Sequence, residues 1–311
     1  MATTVAGEPF VHPAFFYRGD EQYLAGLVPF VRDGLERGEP VAAALPTGRL
    51  DVLRDALADD AAAVHLLDMT VAGRNPGRII PGVLREFADR HRGGHVRIIG
   101  EPIWAARSEL EYPACAQHEA LINAAFTGRD VTILCPYDTG SLDERRLADA
   151  RATHPLLWEA GREDVSGEYA PDAVVERYNQ PLPTAPEAAV FDVHETAQLP
   201  LMRRFAVAEA LRGGLDGERA QDVELIAAEL VTNSLVHTEG ARARLSLWSD
   251  GTHLVCEVRD DGHLADPLAG RRPAPVHQHG GRGLLLVNHL ADLVRVHTTP
   301  DGTTIQALCL L

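Results

Sequence analysis

The stretch SGEYAPDAVVERYNQPLPTAPEAA (166–189) carries four prolines and no sustained hydrophobic period, and the residues on its two sides follow different rules. Ahead of it, apolar runs of strand length, VAAALP (41–46), AVHLLDM (63–69), VRIIGEP (96–102) and VTILCPYD (131–138), alternate with longer segments of helical period. The helical segments span 21–38, 78–94 and 113–128, and each ends in glycine, a common helix stop. Strands separated by helices of this length require crossover connections, which predicts a parallel α/β sheet. Behind the stretch, two helical segments (199–214 and 218–238) come before most of the strands. The strands at 243–250 and 252–262 meet at Asp250-Gly251, and those at 294–299 and 303–311 meet at Pro300-Asp301-Gly302. Both junctions are hairpin turn signals, so the second half predicts a two-layer α+β sandwich, with AVFDVHE (189–195) as a possible further strand. The expected organisation is a domain over 1–165, a proline-rich linker over 166–189 and a second domain over 190–311. A chain of 311 residues is long enough for two cores.

Charge and residue usage remove several functions. The sequence contains no lysine, so its 29 basic residues are all arginine, and the formal net charge is −16. Acids outnumber arginines 25 to 17 over residues 1–165 and 20 to 12 over 166–311. Neither half offers the cationic surface that neutralises a phosphate backbone, which speaks against direct nucleic-acid binding. Without lysine there is no Walker A lysine and no Schiff base. The four cysteines, Cys115, Cys135, Cys256 and Cys309, form no CxxC pair. The sequence shows neither a signal-peptide pattern nor an apolar run near the ~20 residues of a membrane span. The expectation is a cytoplasmic protein with reduced thiols.

Within the second half, AAELVTNSLVHT (227–238) puts Glu229, Asn233 and His237 four residues apart on one helix. At 100° per residue they drift by only about 40° each and form one stripe, bordering the apolar arc of Val223, Ile226, Ala227, Leu230 and Val231. Taken alone, the stripe also suits an Asn back-bonded to a carbonyl, a solvated Glu and a His at the helix end. Three later features point to a ligand. VRDDGH places Asp260 at a strand end, where a carboxylate can accept from an adenine amino group, followed by Gly262, which lets backbone approach the ring. HGGRGLLLV (279–287) runs a glycine cluster (Gly281, Arg282, Gly283) into a helix, an arrangement whose N–H groups suit polyphosphate. DGTTI (301–305) sets Thr303 at the start of the last strand, where its hydroxyl can support the Asp260 contact. Each is weak alone; their order along the chain is informative.

In that order, residues about 190–311 resemble the GHKL (Bergerat-type) ATP-binding domains of histidine kinases, gyrase and Hsp90-type chaperones. They are most similar to the anti-sigma regulatory factor (serine-protein kinase) branch, through LPLMRRFAVAEAL, DVELIAAELVTNSLVHT, VRDDG and GGRGLLLVNHLADLVRV. The resemblance implies ATP and Mg²⁺ as cofactors, with Glu229 as general base and Asn233 holding the metal. It also implies Asp260 and Gly262 at adenine, Gly281 and Gly283 at the phosphates, and His237 at the helix end. Arg282 is either a γ-phosphate contact or a solvated charge. Two departures stand out: Leu264 replaces the second glycine of a DxGxG pattern, and the lid is short, with Pro267, Arg271, Arg272, Pro273 and Pro275. His194, the nearest upstream candidate phosphoacceptor, follows a strand-like run rather than lying on a dimerisation helix, which argues against a histidine kinase.

The first half, through VHPAFFYRGDEQYLAGLVPFVRDGLERGEPVAAALP, RIIGEPIW and HEALINAAFTGRDVTILCPYD, resembles the MEDS (DcmR-like) sensory domain, related to the RecA-like fold. It shows ALPTGRL (44–50) where a P-loop would need GK[ST], so nucleotide binding there is not expected. His12, Glu101, Trp104, Tyr137 and Asp138 are its candidate pocket residues, three of them just past predicted strand ends, where open α/β sheets bind ligands; Trp104, His12 and Tyr137 also suit packing roles. Cys135, inside an apolar strand, reads as a small buried hydrophobe. Together the resemblances imply a regulator that binds Mg-ATP, captures a sigma factor and phosphorylates Ser or Thr of a STAS-type anti-anti-sigma protein. They further imply a homodimer under control of the first domain. The alternative is a non-catalytic binding switch gated by nucleotide or independent of it.

Overall fold

The computed structural model describes residues 9–237, 242–273 and 281–311, and its contacts divide the chain into two units, 1–178 and 179–311. Among the described residues no helix is long and apolar enough to cross a membrane.

The first unit runs β1 (Phe10–Val11), β2 (Pro13–Tyr17), α1 (Gly19–Glu36), β3 (Val41–Leu45), α2 (Thr47–Leu57), β4 (His65–Asp68), α3 (Met69–Ala72), α4 (Arg85–Arg90), β5 (Val96–Gly100), α5 (Tyr112–Phe126), β6 (Val131–Asp138), α6 (Glu144–Thr153), β7 (Leu156–Glu159), β8 (Arg162–Val165) and α7 (Pro171–Arg177). These strands form one sheet in the order β4-β3-β5-β6-β2-β7-β8, with β1 also pairing β6. Pairing is parallel throughout except for the β7–β8 hairpin. The α/β sheet expected from the alternation is present, extended by strands the pattern did not announce. β2 (PAFFY) is buried at all five positions, so it shows no alternation and opens on a proline. The helix expected over 78–94 is interrupted: Ile80–Leu84 form a π turn before α4. Pro81 has no N–H to give the helical ladder at that point.

The boundary between the units falls inside the proline-rich stretch, and both parts of that stretch are packed. Pro171 occupies the first turn of α7, Val174 is fully buried, and Arg177 and Tyr178 both bond the Asp149 carboxylate. On the other side Asn179 exchanges two hydrogen bonds with the Thr298 backbone, at 2.8 and 3.0 Å. Thr184 donates to Glu257 at 2.5 Å. The composition of the stretch gives no indication of these attachments.

The second unit contains β9 (Ala189–Val193), α8 (Leu199–Arg212), α9 (Gly217–His237), β10 (Ala243–Ser249), β11 (His253–Asp260), α10 (Gly283–Leu290), β12 (Leu293–Thr299) and β13 (Gly302–Leu310). The sheet is antiparallel in the order β12-β13-β11-β10-β9. One face carries Leu245, Leu247, Cys256, Val258, Ala307 and Cys309 into a shared core with Met202, Ala206 and Ala210 of α8 and Val223, Ile226, Leu230 and Val231 of α9. Ala206 and Ala210, one turn apart on the buried face of α8, keep that face small. Each large apolar side chain buried there contributes about 1.5–3 kcal/mol. The predicted β10–β11 turn is real: Gly251 has φ +90°, and Asp250 Oδ1 accepts from the N–H groups of Thr252 and His253 at 2.8 and 2.7 Å. All four cysteines are buried and none forms a disulfide.

Candidate functional site

A cavity of about 540 Å³ opens between α9, the end of β11, the start of α10 and β13. Its apolar lining is Leu230, Val258, Leu264, Leu284 and Ile305, and its polar lining includes Asn233, Ser234, His237, Asp260 and Thr303. The core arc of α9 runs past Leu230 to the cavity lip, where the polar stripe replaces it. Asn233 and His237 therefore reach the cavity from the same helix face, His237 from an exposed position at the helix end.

Hydrogen bonds from α9 and from the following turn hold Asp260 at the cavity. Its Oδ2 accepts from Ser234 Oγ at 2.5 Å and its Oδ1 from the Gly262 N–H at 2.7 Å. Thr303 is the cross-strand partner of Asp260, yet its hydroxyl does not bond that carboxylate. It donates to the Gly262 carbonyl at 2.8 Å and meets Thr298 Oγ1 at 2.8 Å. Thr298 Oγ1 in turn accepts from the Leu264 N–H at 2.9 Å. The support expected from Thr303 thus goes to the turn after Asp260 and orients the carboxylate only indirectly. At Leu264, where a second glycine was the expectation, an apolar side chain adds to the wall.

Glu229 is half-buried and is not among the residues that line the cavity. A Cβ built on Gly283 would sit 2.6 Å from Glu229 Oε2 and 3.1 Å from Asn233 Nδ2, so the first residue of α10 rests directly against both polar groups of α9. Gly281 adopts φ +76°, a conformation that favours glycine, and lines the cavity. The first turn of α10 leaves N–H groups without helical acceptors, an anion-favouring end. Arg282 is exposed and does not line the cavity, which fits the solvated alternative. Of the lid residues, Pro275 lies outside the described residues, as do His279 and Gly280 of the glycine cluster. His194 is exposed beyond the end of β9.

Two contributors escaped the sequence reading. Ser234 is adjacent to Asn233 on α9, where a serine carries no signal of its own. Gly270, with φ +71°, lines the cavity and is packed against Leu284; a glycine within a Pro-rich loop gave no signal of that contact.

In the first unit a cavity of about 510 Å³ sits at the carboxyl ends of the parallel strands, lined among others by Tyr17, Arg49, Glu101, Trp104 and Asp138. Arg49, from the segment that replaces a P-loop, bonds Asp20 at 2.5 Å and Asp138 at 3.2 Å and lies over the rings of Tyr17 and Tyr23. Glu101 is 3% exposed, and its Oε2 has no hydrogen-bond partner among the described residues. Burial, with Asp138 adding to it and Arg49 opposing, pushes its carboxyl up to about 8. Three of the five expected residues meet here. His12 and Tyr137 do not, because Tyr137 and Asp138 are successive on β6 and point to opposite faces. Tyr137 instead packs edge-on to His154, and His12 lies 4.0 Å from the same ring.

Residues 11–155 match the family model of the MEDS domain, the methanogen/methylotroph, DcmR sensory domain, and residues 193–308 match that of the histidine kinase-like ATPase domain. An anti-sigma F factor of Pasteuria penetrans is 30% identical over 102 residues, which cover 29% of this chain and 68% of that protein.

Proposed function

Because this chain belongs to the histidine kinase-like ATPase family, on the branch that holds anti-sigma F factor, with a MEDS domain ahead of it, we propose that it is a nucleotide-dependent anti-sigma regulator. In this reading it binds Mg-ATP in the second unit, sequesters a sigma factor, and phosphorylates Ser or Thr of a STAS-type antagonist. It acts as a cytoplasmic homodimer whose holding of partners is set by a signal at the Glu101 cavity. The observation that carries the reading is the seating of Gly283 against both Glu229 and Asn233, which aims the head of α10 at a carboxylate and a carboxamide on α9. Asp260 supplies an acceptor, held from two sides, for an adenine amino group. The apolar wall of Leu230, Val258 and Ile305 suits a planar base. Asn233 offers a side-chain oxygen to a hard divalent cation, which takes few protein ligands and supplies neutralisation of phosphate charge when bound. Glu229 would orient and accept the proton of the attacking hydroxyl. His237 and Thr303 complete the binding set around the nucleotide.

One observation favours a second reading, a non-catalytic switch gated by nucleotide: Glu229 is not among the residues that line the cavity. Calorimetric titration of Mg-ATP into the full chain separates the two, with Asn233→Ala and Asp260→Asn beside it and phosphate transfer to STAS-domain proteins of the same genome followed with labelled ATP. Binding weakened by both substitutions, with transfer lost in Glu229→Ala at unchanged affinity, supports the kinase. Binding without transfer to any such protein leaves the switch. A folded wild-type chain that takes up no nucleotide overturns both.

A further inference from the structure

Four ionisable side chains from four separate elements converge in the first unit, away from the Glu101 cavity: His12 between β1 and β2, Glu119 in α5, Cys135 in β6 and His154 just after α6. All are essentially without exposure to solvent, and one donor atom from each lies within 4.8 Å of every other.

Hydrogen bonds fix both imidazoles. The Asn123 amide nitrogen donates to the carbonyls of Ala120 and Thr153, at 3.1 and 2.8 Å. Its oxygen must therefore accept, and it accepts from His12 Nδ1 at 3.1 Å. His154 Nδ1 likewise faces the Ala150 carbonyl at 2.8 Å, which can only accept. Each ring therefore carries its proton on Nδ1 and turns the Nε2 lone pair inward. Those two lone pairs meet Glu119 Oε2, at 3.5 Å from His12 and 3.2 Å from His154. Cys135 Sγ is 3.5 Å from His12 Nε2. Nε2 lone pairs aimed at a buried carboxylate repel it unless a proton or a metal cation lies between them, and both Glu119 oxygens and His154 Nε2 are buried without a hydrogen-bond partner among the described residues.

We infer that His12, Glu119, Cys135 and His154 form a tetrahedral binding site for a zinc-type divalent cation. Zinc bond lengths of roughly 2.0–2.3 Å imply edges of about 3.3–3.6 Å between neighbouring ligands, and three of the contacts already lie near that spacing. Two neutral imidazoles, one carboxylate and one thiolate bring the site to zero net charge around M²⁺, which suits its burial. The Cys135 thiol gives up its proton as the S–metal bond forms. Asn123 and the Ala150 carbonyl are the outer partners that fix ligand tautomer in such sites. Four protein ligands and no solvent access leave no open position, so the site pins α5 and α6 to the sheet and does not activate water.

The test uses the untagged full chain. Elemental analysis should find one zinc per chain. Metal-free protein refilled with Co²⁺ should show thiolate-to-cobalt charge-transfer absorption, absent in Cys135→Ser and retained in Cys115→Ser. Asn123→Ala, which frees His12 without deleting a ligand, should weaken Zn²⁺ binding about 10–100-fold. Zinc-edge absorption of the unsubstituted chain, which needs no variant to fold, should fit one sulfur and three nitrogen or oxygen ligands. A chain that takes up neither Zn²⁺ nor Co²⁺, a first shell without sulfur, or a charge-transfer band that survives Cys135→Ser overturns the assignment.

Discussion

Gly283 and Glu229 face each other so closely that a methyl group on the glycine would lie 2.6 Å from the glutamate Oε2. Oε2 is the far end of a flexible side chain, so Gly283→Ala would displace Glu229 rather than disrupt the backbone. For the proposed kinase, the expected outcome is phosphate transfer reduced by about 10²-fold, the loss typical of misplacing a general base, with little change in melting temperature. Comparing transfer rate and thermal unfolding of the same preparation checks this. Unaltered transfer in a folded variant would mean that Glu229 has no part in the chemistry.

Ser234 holds one oxygen of Asp260 at 2.5 Å and the Gly262 N–H holds the other. Deleting the hydroxyl removes that hydrogen bond and leaves the carboxylate itself in place. Ser234→Ala should weaken Mg-ATP binding by about fivefold, the equivalent of roughly 1 kcal/mol for one hydrogen bond, and Asp260→Asn should weaken it more. Calorimetry on the two variants gives the ranking, and a Ser234→Ala affinity equal to wild type would show that Asp260 needs no second support.

What could be read from the sequence was what lies in a local period or at an element's end. Glu229, Asn233 and His237 stand four apart on a helix, and Asp260 and Gly262 sit where one strand stops and Thr303 where another starts, so both groups were visible before their placement was. Ser234 was not, because a serine on the same helix has no partner until β11 is placed beside it. His12, Glu119, Cys135 and His154 are scattered over more than a hundred residues, and the β2–β6 pairing, with α5 and α6 against it, is what joins them. The opposite directions of Tyr137 and Asp138 follow from strand alternation alone, a rule available from the sequence that the expected pocket passed over.

Gly270 couples the cavity wall to α10. It has φ +71°, and a Cβ there would lie 2.9 Å from the backbone carbonyl carbon of Leu284, which cannot swing aside as a side chain can. Its own carbonyl accepts from Asn288 Nδ2 at 3.1 Å. Gly270→Ala should therefore cost about 2–4 kcal/mol from strain and overpacking together. Hydrogen exchange across residues 283–290 should accelerate in this variant; exchange as slow as in wild type would show that the contact with α10 is not tight.

Glu101 makes the stability of the first unit depend on pH. Its unfolded carboxyl ionises near 4.5, and in the fold it does so only at about 8, because burial disfavours the charge. Between those values the unfolded chain has released a proton that the folded chain still holds. Stability from this group is therefore complete below 4.5, declines as pH rises, and levels off above about 8. Glutamine cannot titrate, so Glu101→Gln should match wild type near pH 4.5 and exceed it by a margin that widens up to pH 8. Urea unfolding of both full chains across that interval tests the slope. Parallel curves would place the Glu101 carboxylate in contact with solvent or a cation, and a margin that narrows with pH would mean that its charged form is the one the fold prefers.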